Sequence, residues 1–140
     1  MDKMQAAVFV EKGKIQLREV PKPVPGPGEA LLQVTLTTIC GTDVHILKGE
    51  YPVKPGLVVG HEPVGRVLDA FAAGLGDITV VTTLCPGGKE RMRRLMAVIG
   101  AKRAPFRDLV THSFRLADIE AAYDLFSHQR DGVMKVAIRP

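Results

Sequence analysis

The hydrophobic periodicity of this chain changes once along its length, and that change limits the folds it can adopt. Short apolar or alternating runs at Ala6–Val10, Ile15–Val20 and Leu32–Leu36 predict strands in the first third. Helical spacing appears only in the last third, at Met92–Ile99 and Ile119–Phe126. Strands first and helices later favour a β-rich α+β fold over alternating βαβ units.

Three further strands are predicted by β-branched or apolar runs. They cover Val64–Phe71, Ile78–Leu84 and Val133–Ile138, the last of which closes the chain. Asp118 stands immediately before the second helical run and is predicted to be its N-cap.

Length and composition exclude several classes of protein. The chain has 140 residues, enough for one sizeable core, and 46% of them are hydrophobic, which argues against disorder. Apolar runs such as Leu95–Ile99 fall far short of the roughly 20 residues of a membrane span. The N-terminus lacks the apolar stretch of a signal peptide, so we expect a cytoplasmic protein with no membrane partner.

Positive charge is concentrated in one stretch. The stretch from Lys89 to Arg107 contains one acidic residue, Glu90. Its basic residues are Lys89, Arg91, Arg93, Arg94, Lys102, Arg103 and Arg107. A basic stretch raises the question of nucleic acid, but the charges in the first helical run lie opposite its apolar stripe, as on a solvated helix. Because Phe106 is the one aromatic residue nearby, we predict no nucleic-acid partner.

Cys40, His61 and Glu62 offer the thiolate, imidazole and carboxylate that zinc accepts as ligands. Both segments are flanked by glycine and are predicted to be loops able to bend toward a common ion. Their spacing follows neither CxxC nor HExxH, so spacing alone favours a buried free cysteine and an unrelated histidine.

The residues that flank Cys40, His61 and Glu62 favour a zinc site over a free cysteine and an unrelated histidine. Ile39–His45 and Gly60–Gly65 together resemble the catalytic-zinc signature of the zinc-dependent medium-chain alcohol dehydrogenases. Leu84–Leu95, Leu109–His112 and Asp118–Phe126 are similar to the C-terminal segment of that family and point to its bacterial secondary-alcohol (isopropanol-type) branch. The resemblance divides the chain into residues 1–68 and 69–140, which we expect to pack as one domain.

This resemblance implies a partly open, GroES-like β-barrel with C-terminal helices. It implies that Cys40 and His61 are zinc ligands and that Glu62 is the adjacent carboxylate that can exchange onto the metal. Thr42 then hydrogen-bonds the bound alcohol, and His45 continues the proton relay. In the family, zinc and NAD(P) together oxidise small secondary alcohols to ketones.

The sequence shows no counterpart of the domain that binds NAD(P) in this family. The family's dinucleotide-binding Rossmann domain needs G-x-G-x-x-G after a strand. The glycine pairs Gly26-Pro-Gly28, Gly74-Leu-Gly76 and Gly87-Gly88 do not supply it. We therefore predict no Rossmann domain, no NAD(P) site and no activity of the chain alone.

The third zinc ligand of the family, a cysteine or aspartate, belongs to the same absent stretch. A site built from two ligands and Glu62 would hold zinc weakly or lose it. Cys85 is a disfavoured replacement, because its segment belongs near the cofactor side in the family. Asp43 matches an acid with a supporting role, while His112 and His128 are predicted to be structural or exposed.

Three interpretations stay open at this point. The chain is an internally deleted, inactive alcohol dehydrogenase, or a zinc-binding or self-assembling module without redox activity, or a subunit that receives its cofactor domain from a partner. Loss of a covering domain also predicts exposed apolar surface and a homo-oligomer.

Overall fold

The computed structural model describes residues 2–26, 29–68 and 88–140. Within these ranges the chain forms six strands and three α-helices. In order they are β1 Lys3–Glu11, β2 Lys14–Pro21, β3 Leu32–Thr38, α1 Gly41–Leu47, β4 Val64–Val67, α2 Gly88–Gly100, β5 Val110–Arg115, α3 Ile119–Ser127 and β6 Lys135–Arg139. Short 3-10 turns cover Phe106–Leu109 and Leu116–Asp118.

Strands β1 and β2 form the predicted antiparallel hairpin, with Phe9 opposite Ile15 and Lys3 opposite Pro21. The other strands form a mixed four-stranded sheet in the order β4-β3-β6-β5. Only β5 and β6 are parallel in it. The described part of the chain is therefore β-rich α+β, as predicted, and its two sheets do not close into a barrel.

The contact between β3 and β4 depends on one glycine. A Cβ atom at Gly65 would lie 2.1 Å from the carbonyl oxygen of Gln33, well inside van der Waals contact. Only glycine lets these two backbones approach at this register.

Strand β6, near the C-terminus, pairs with β3 from the first third of the chain. Thr37 pairs with Ile138 and Thr38 with Ala137, so the C-terminal strand extends the sheet begun by β3. The division into residues 1–68 and 69–140 stays a prediction, although this pairing places strands from both parts in one sheet.

The core lies between the hairpin, the four-stranded sheet and α3. Ile39, Val136 and Ile138 are at most 1% exposed at its centre. The apolar stripe predicted for the second helical run is confirmed, since the buried residues of α3 are Ile119, Ala122, Tyr123 and Phe126.

Two local predictions need correction. Asp118 holds the N-cap position of α3 without capping it, because its carboxylate accepts from Arg115 Nε at 3.0 Å instead. Residues 41–47, predicted as loop, form helix α1, and Cys40 is its N-cap.

The predicted strand at Val64–Phe71 is confirmed for its first four residues, while its end and the strand at Ile78–Leu84 lie outside the described residues.

Helix α2 confirms the predicted helical spacing but contributes nothing to the core cluster. Three of its apolar side chains face solvent, with Leu95 41%, Met96 58% and Ile99 44% exposed. No described helix has both the length and the apolar character needed to cross a bilayer.

Candidate metal centre

Cys40, His61 and Glu62 meet at one place although they come from separate segments. Cys40 follows β3, whereas His61 and Glu62 lie in the irregular segment before β4. One potential ligand atom from each of the three lies within 4.8 Å of the other two, and all three residues are half-buried. Because zinc bonds to N, O and S are about 2.0–2.3 Å long, this donor set fits zinc after small side-chain rotations.

Neighbouring residues fix the two segments to the core. The N–H of Ile39 donates to the carbonyl of Val136 at 3.1 Å, and the N–H of Val59 donates to the carbonyl of Ala7 at 2.9 Å. Gly60 then turns the chain toward His61 with φ of +108°, in a region that favours glycine. The backbone before each candidate ligand is therefore held by β-type hydrogen bonds.

Asp43 is the fully buried acid of this site. Its Oδ2 accepts from the Cys40 N–H at 2.9 Å, which caps α1 at its first turn. Its Oδ1 lies 3.2 Å from His61 Nδ1, yet it accepts no well-aligned hydrogen bond. Burial raises the pKa of Asp43, against the opposing effects of the Cys40 N–H and of His61.

An orphaned carboxylate oxygen beside a histidine suits a metal site. Histidines that bind metals usually donate their other ring N–H to a carboxylate or carbonyl, which fixes the ring and its tautomer. With Nδ1 of His61 facing Asp43, Nε2 is the ring nitrogen left for a metal.

Glu62 is already engaged by two side chains. The hydroxyl of Thr38 donates to it, and Lys135 Nζ lies 2.6 Å from Oε2. Burial alone would raise the pKa of Glu62, but the hydrogen bonds from Lys135 and Thr38 outweigh burial and lower it. Glu62 is therefore an ionised carboxylate for which Lys135 competes with any metal.

The predicted relay residues lie along α1. The Thr42 hydroxyl is 3.8 Å from Cys40 Sγ and thus beside the candidate ligands. His45 lies almost one helical turn further on, exposed, with Nδ1 bonded to Glu50 and its ring edge-on to Tyr51. One of these side chains therefore adjoins the candidate ligands, and the other reaches solvent.

The other candidate residues lie elsewhere. His112 is half-buried on β5 and contacts Thr111 and Asp131, while His128 is exposed at the C-cap of α3. Among the described residues neither joins the candidate ligands. Cys85 lies outside the described residues.

The sequence analysis did not identify Lys135 as part of the site, and it gave Asp43 only a supporting role. The Cys40-x-x-Asp43 spacing is a capping-box pattern and could have revealed both helix α1 and the inward direction of Asp43. No sequence signal connects Lys135 to Glu62, because only the pairing of β6 with β3 brings them together.

Comparison with known proteins gives a consistent result. A family described as the alcohol dehydrogenase GroES-like domain matches residues 26–114. An alcohol dehydrogenase from Cupriavidus necator is 66% identical over 73 residues, covering 52% of this chain and 20% of that protein. A probable zinc-binding alcohol dehydrogenase from Mycobacterium tuberculosis is 35% identical over 94 residues, covering 60% of this chain and 24% of that protein.

The chain thus spans about a fifth to a quarter of the length of these curated relatives. Among solved structures, an oxidoreductase/dehydrogenase of unknown specificity from Escherichia coli has a TM-score of 0.74. The alignment covers 99% of both chains at 12% identity, so this likeness concerns the fold alone.

Proposed function

The chain belongs to the alcohol dehydrogenase GroES-like domain family, and from that premise we propose that it is the zinc-binding part of a secondary-alcohol dehydrogenase of the isopropanol type, without the Rossmann domain. The observation that supports this proposal is the convergence of Cys40, His61 and Glu62. Their donor chemistry suits zinc, and a buried carboxylate stands behind the histidine.

Each residue of the site has a proposed role. Cys40 and His61 would hold the metal, and Glu62, which Lys135 already engages, would be the adjacent carboxylate able to exchange onto it. Zinc bound there would act as a Lewis acid that lowers the pKa of a coordinated alcohol. The Thr42 hydroxyl would accept the alcohol proton and pass its own onward, since a hydroxyl both accepts and donates, and exposed His45 would release a proton to solvent.

Hydride transfer needs a nicotinamide held against the substrate carbon. Because the sequence carries no G-x-G-x-x-G fingerprint, we propose that the chain alone lacks this step and is inactive. An alternative is that another chain supplies the cofactor domain. In that case the complex of the two chains would be active.

A second candidate function is self-assembly without redox chemistry. The exposed apolar face of α2, formed by Leu95, Met96 and Ile99, favours it. An isolated helix of 13 residues is marginal in water, so α2 gains stability when a second copy covers this face.

Native mass spectrometry of the chain, purified without chelator and then loaded with zinc, tests the metal proposal. We expect one zinc per chain, lost in Cys40→Ser and His61→Ala and retained in His128→Ala, which removes an exposed histidine away from the site. Zinc-free wild-type chains, or equal zinc in all variants, would contradict the proposed site.

Alcohol-dependent reduction of NAD(P) tests the second part of the proposal. We expect none from the purified chain, with or without zinc. Turnover by the chain alone would overturn the proposed inactivity, and turnover only after a second protein is added would favour a cofactor domain supplied by a partner.

A further inference from the structure

Lys135 and Glu62 form a half-buried ion pair at the candidate metal centre. The Lys135 Nζ lies 2.6 Å from Glu62 Oε2, and the two side chains are 30% and 26% exposed. The pair of Lys3 with Glu19 on the hairpin differs, because its side chains are 64% and 66% exposed and lie 3.3 Å apart. Exposed pairs of that kind contribute little to stability, whereas removing one partner of a shielded pair leaves the other charge uncompensated.

Two donors of different charge engage the same oxygen of Glu62. The Thr38 hydroxyl and the Lys135 ammonium both contact Oε2. Thr38 donates as a neutral group, so it can orient the carboxylate without offsetting its charge. Lys135 carries a full positive charge and therefore neutralises Glu62 whenever no metal does.

A dication at the centre would make the charge of Lys135 unnecessary. The ligand atoms of Cys40, His61 and Glu62 lie within 4.8 Å of one another, and the Lys135 ammonium contacts the last of these residues. A metal ion held by these ligands and the ammonium of Lys135 would thus be like charges at short range, which repel each other. Both would also draw on the negative charge of Glu62.

We propose that Lys135 is the internal counter-charge of Glu62 when no metal is bound and that it leaves Glu62 when the centre is loaded. This inference rests on the proposed zinc centre. Lys135 then stabilises the metal-free fold and lowers the zinc affinity of the centre, so that loading is reversible.

Lys135→Met tests this role because methionine keeps an unbranched apolar side chain and removes the charge. In chelator, the variant should unfold at a lower urea concentration than the wild-type chain, since Glu62 loses its counter-charge. With saturating zinc this loss should disappear. The thermodynamic cycle then requires tighter binding, and we expect zinc affinity, measured by competition with a chromophoric chelator, to rise about 10- to 100-fold.

Three controls separate this role from a merely structural one. Lys3→Met removes the same charge from the exposed hairpin pair and should leave zinc affinity unchanged. Lys135→Arg keeps the positive charge and should keep the wild-type zinc affinity. In a Glu62→Gln background, Lys135→Met should no longer raise the affinity, because there is no carboxylate for which lysine and metal compete.

A second measurement uses the wild-type chain alone. An amine engaged by a carboxylate reacts slowly with acylating reagents, so release from Glu62 should make Lys135 more reactive. Trace labelling with acetic anhydride, read by peptide mass spectrometry, should show more acetylation of Lys135 after zinc loading. Acetylation of Lys3 should not change. This result decides the matter even if Lys135→Met does not fold.

Three results would overturn the role of Lys135. They are an unchanged or lower zinc affinity in folded Lys135→Met, an equal loss of stability with and without zinc, and acetylation of Lys135 that does not respond to zinc. Any of these in a chain that binds one zinc refutes the counter-charge role and leaves the zinc centre standing. Wild-type chains that bind no zinc would refute both.

Discussion

Asp43 shows how much of the candidate site depends on a single residue that is not itself a candidate ligand. It is fully buried, caps α1 through the Cys40 N–H, and faces His61 through its other oxygen. An unpaired carboxylate is costly in such a place, and the raised pKa of Asp43 reflects that cost. We infer that a metal on His61 would let the ring donate to Asp43 and so relieve it.

Replacing Asp43 by asparagine tests this positioning role. Asp43→Asn keeps an acceptor for the Cys40 N–H but removes the negative charge that faces His61. We expect zinc affinity, measured by competition with a chromophoric chelator, to fall about 10- to 100-fold.

The matched control is Asp118→Asn, which removes a carboxylate from the N-cap of α3, outside the site. Its zinc affinity should equal that of the wild-type chain. Equal affinities for Asp43→Asn and Asp118→Asn would show that Asp43 does not orient His61.

At the scale of elements, local patterns predicted those parts of the fold that depend on local sequence. The hairpin and the buried stripe of α3 follow from short-range apolar spacing, and both are confirmed. Helix α1 was missed because it has seven residues and begins with Gly41, Thr42 and Asp43, which also suit a turn. The contact of Lys135 with Glu62 follows from strand order, which no local pattern encodes.

Gly65 provides the prediction at this scale. Gly65→Ala places a Cβ against the Gln33 carbonyl, so β4 must separate from β3 or the backbone must shift. We expect the free energy of unfolding, measured in urea, to fall by about 2–4 kcal/mol.

Gly41→Ala is the control at a neighbouring element. Gly41 lies in the first turn of α1 with open space around a built Cβ, and its φ is not positive. Alanine there should raise stability by about 0.4–1 kcal/mol. A loss of stability in Gly65→Ala no larger than the change in Gly41→Ala would contradict the close approach of the two strands.

At the scale of the whole molecule, α2 is a helix that contributes no residue to the hydrophobic core. Its basic residues Arg93 and Arg94 pair with Glu90, while Leu95, Met96 and Ile99 face solvent. The edge strand β5, which follows α2 in the sequence, has a pairing partner on one side only among the described strands. Exposed apolar residues and an open edge both favour contact with another copy.

Sedimentation velocity over a range of concentrations tests that contact. The wild-type chain should associate, and the double variant Leu95→Glu/Ile99→Glu should sediment as a monomer, because charges on the α2 face oppose its burial. Val24→Glu changes a side chain that is 89% exposed elsewhere and should associate like the wild-type chain. A wild-type monomer at every concentration would refute this self-association.

The pairing of β3 with β6 has a consequence for biosynthesis. Cys40 directly follows β3, and Ile39 is held by a hydrogen bond to Val136 of β6. Lys135, which engages Glu62, also belongs to β6. A nascent chain on the ribosome therefore cannot form the β3–β6 pairing or the Lys135–Glu62 ion pair until residues 135–139 have emerged.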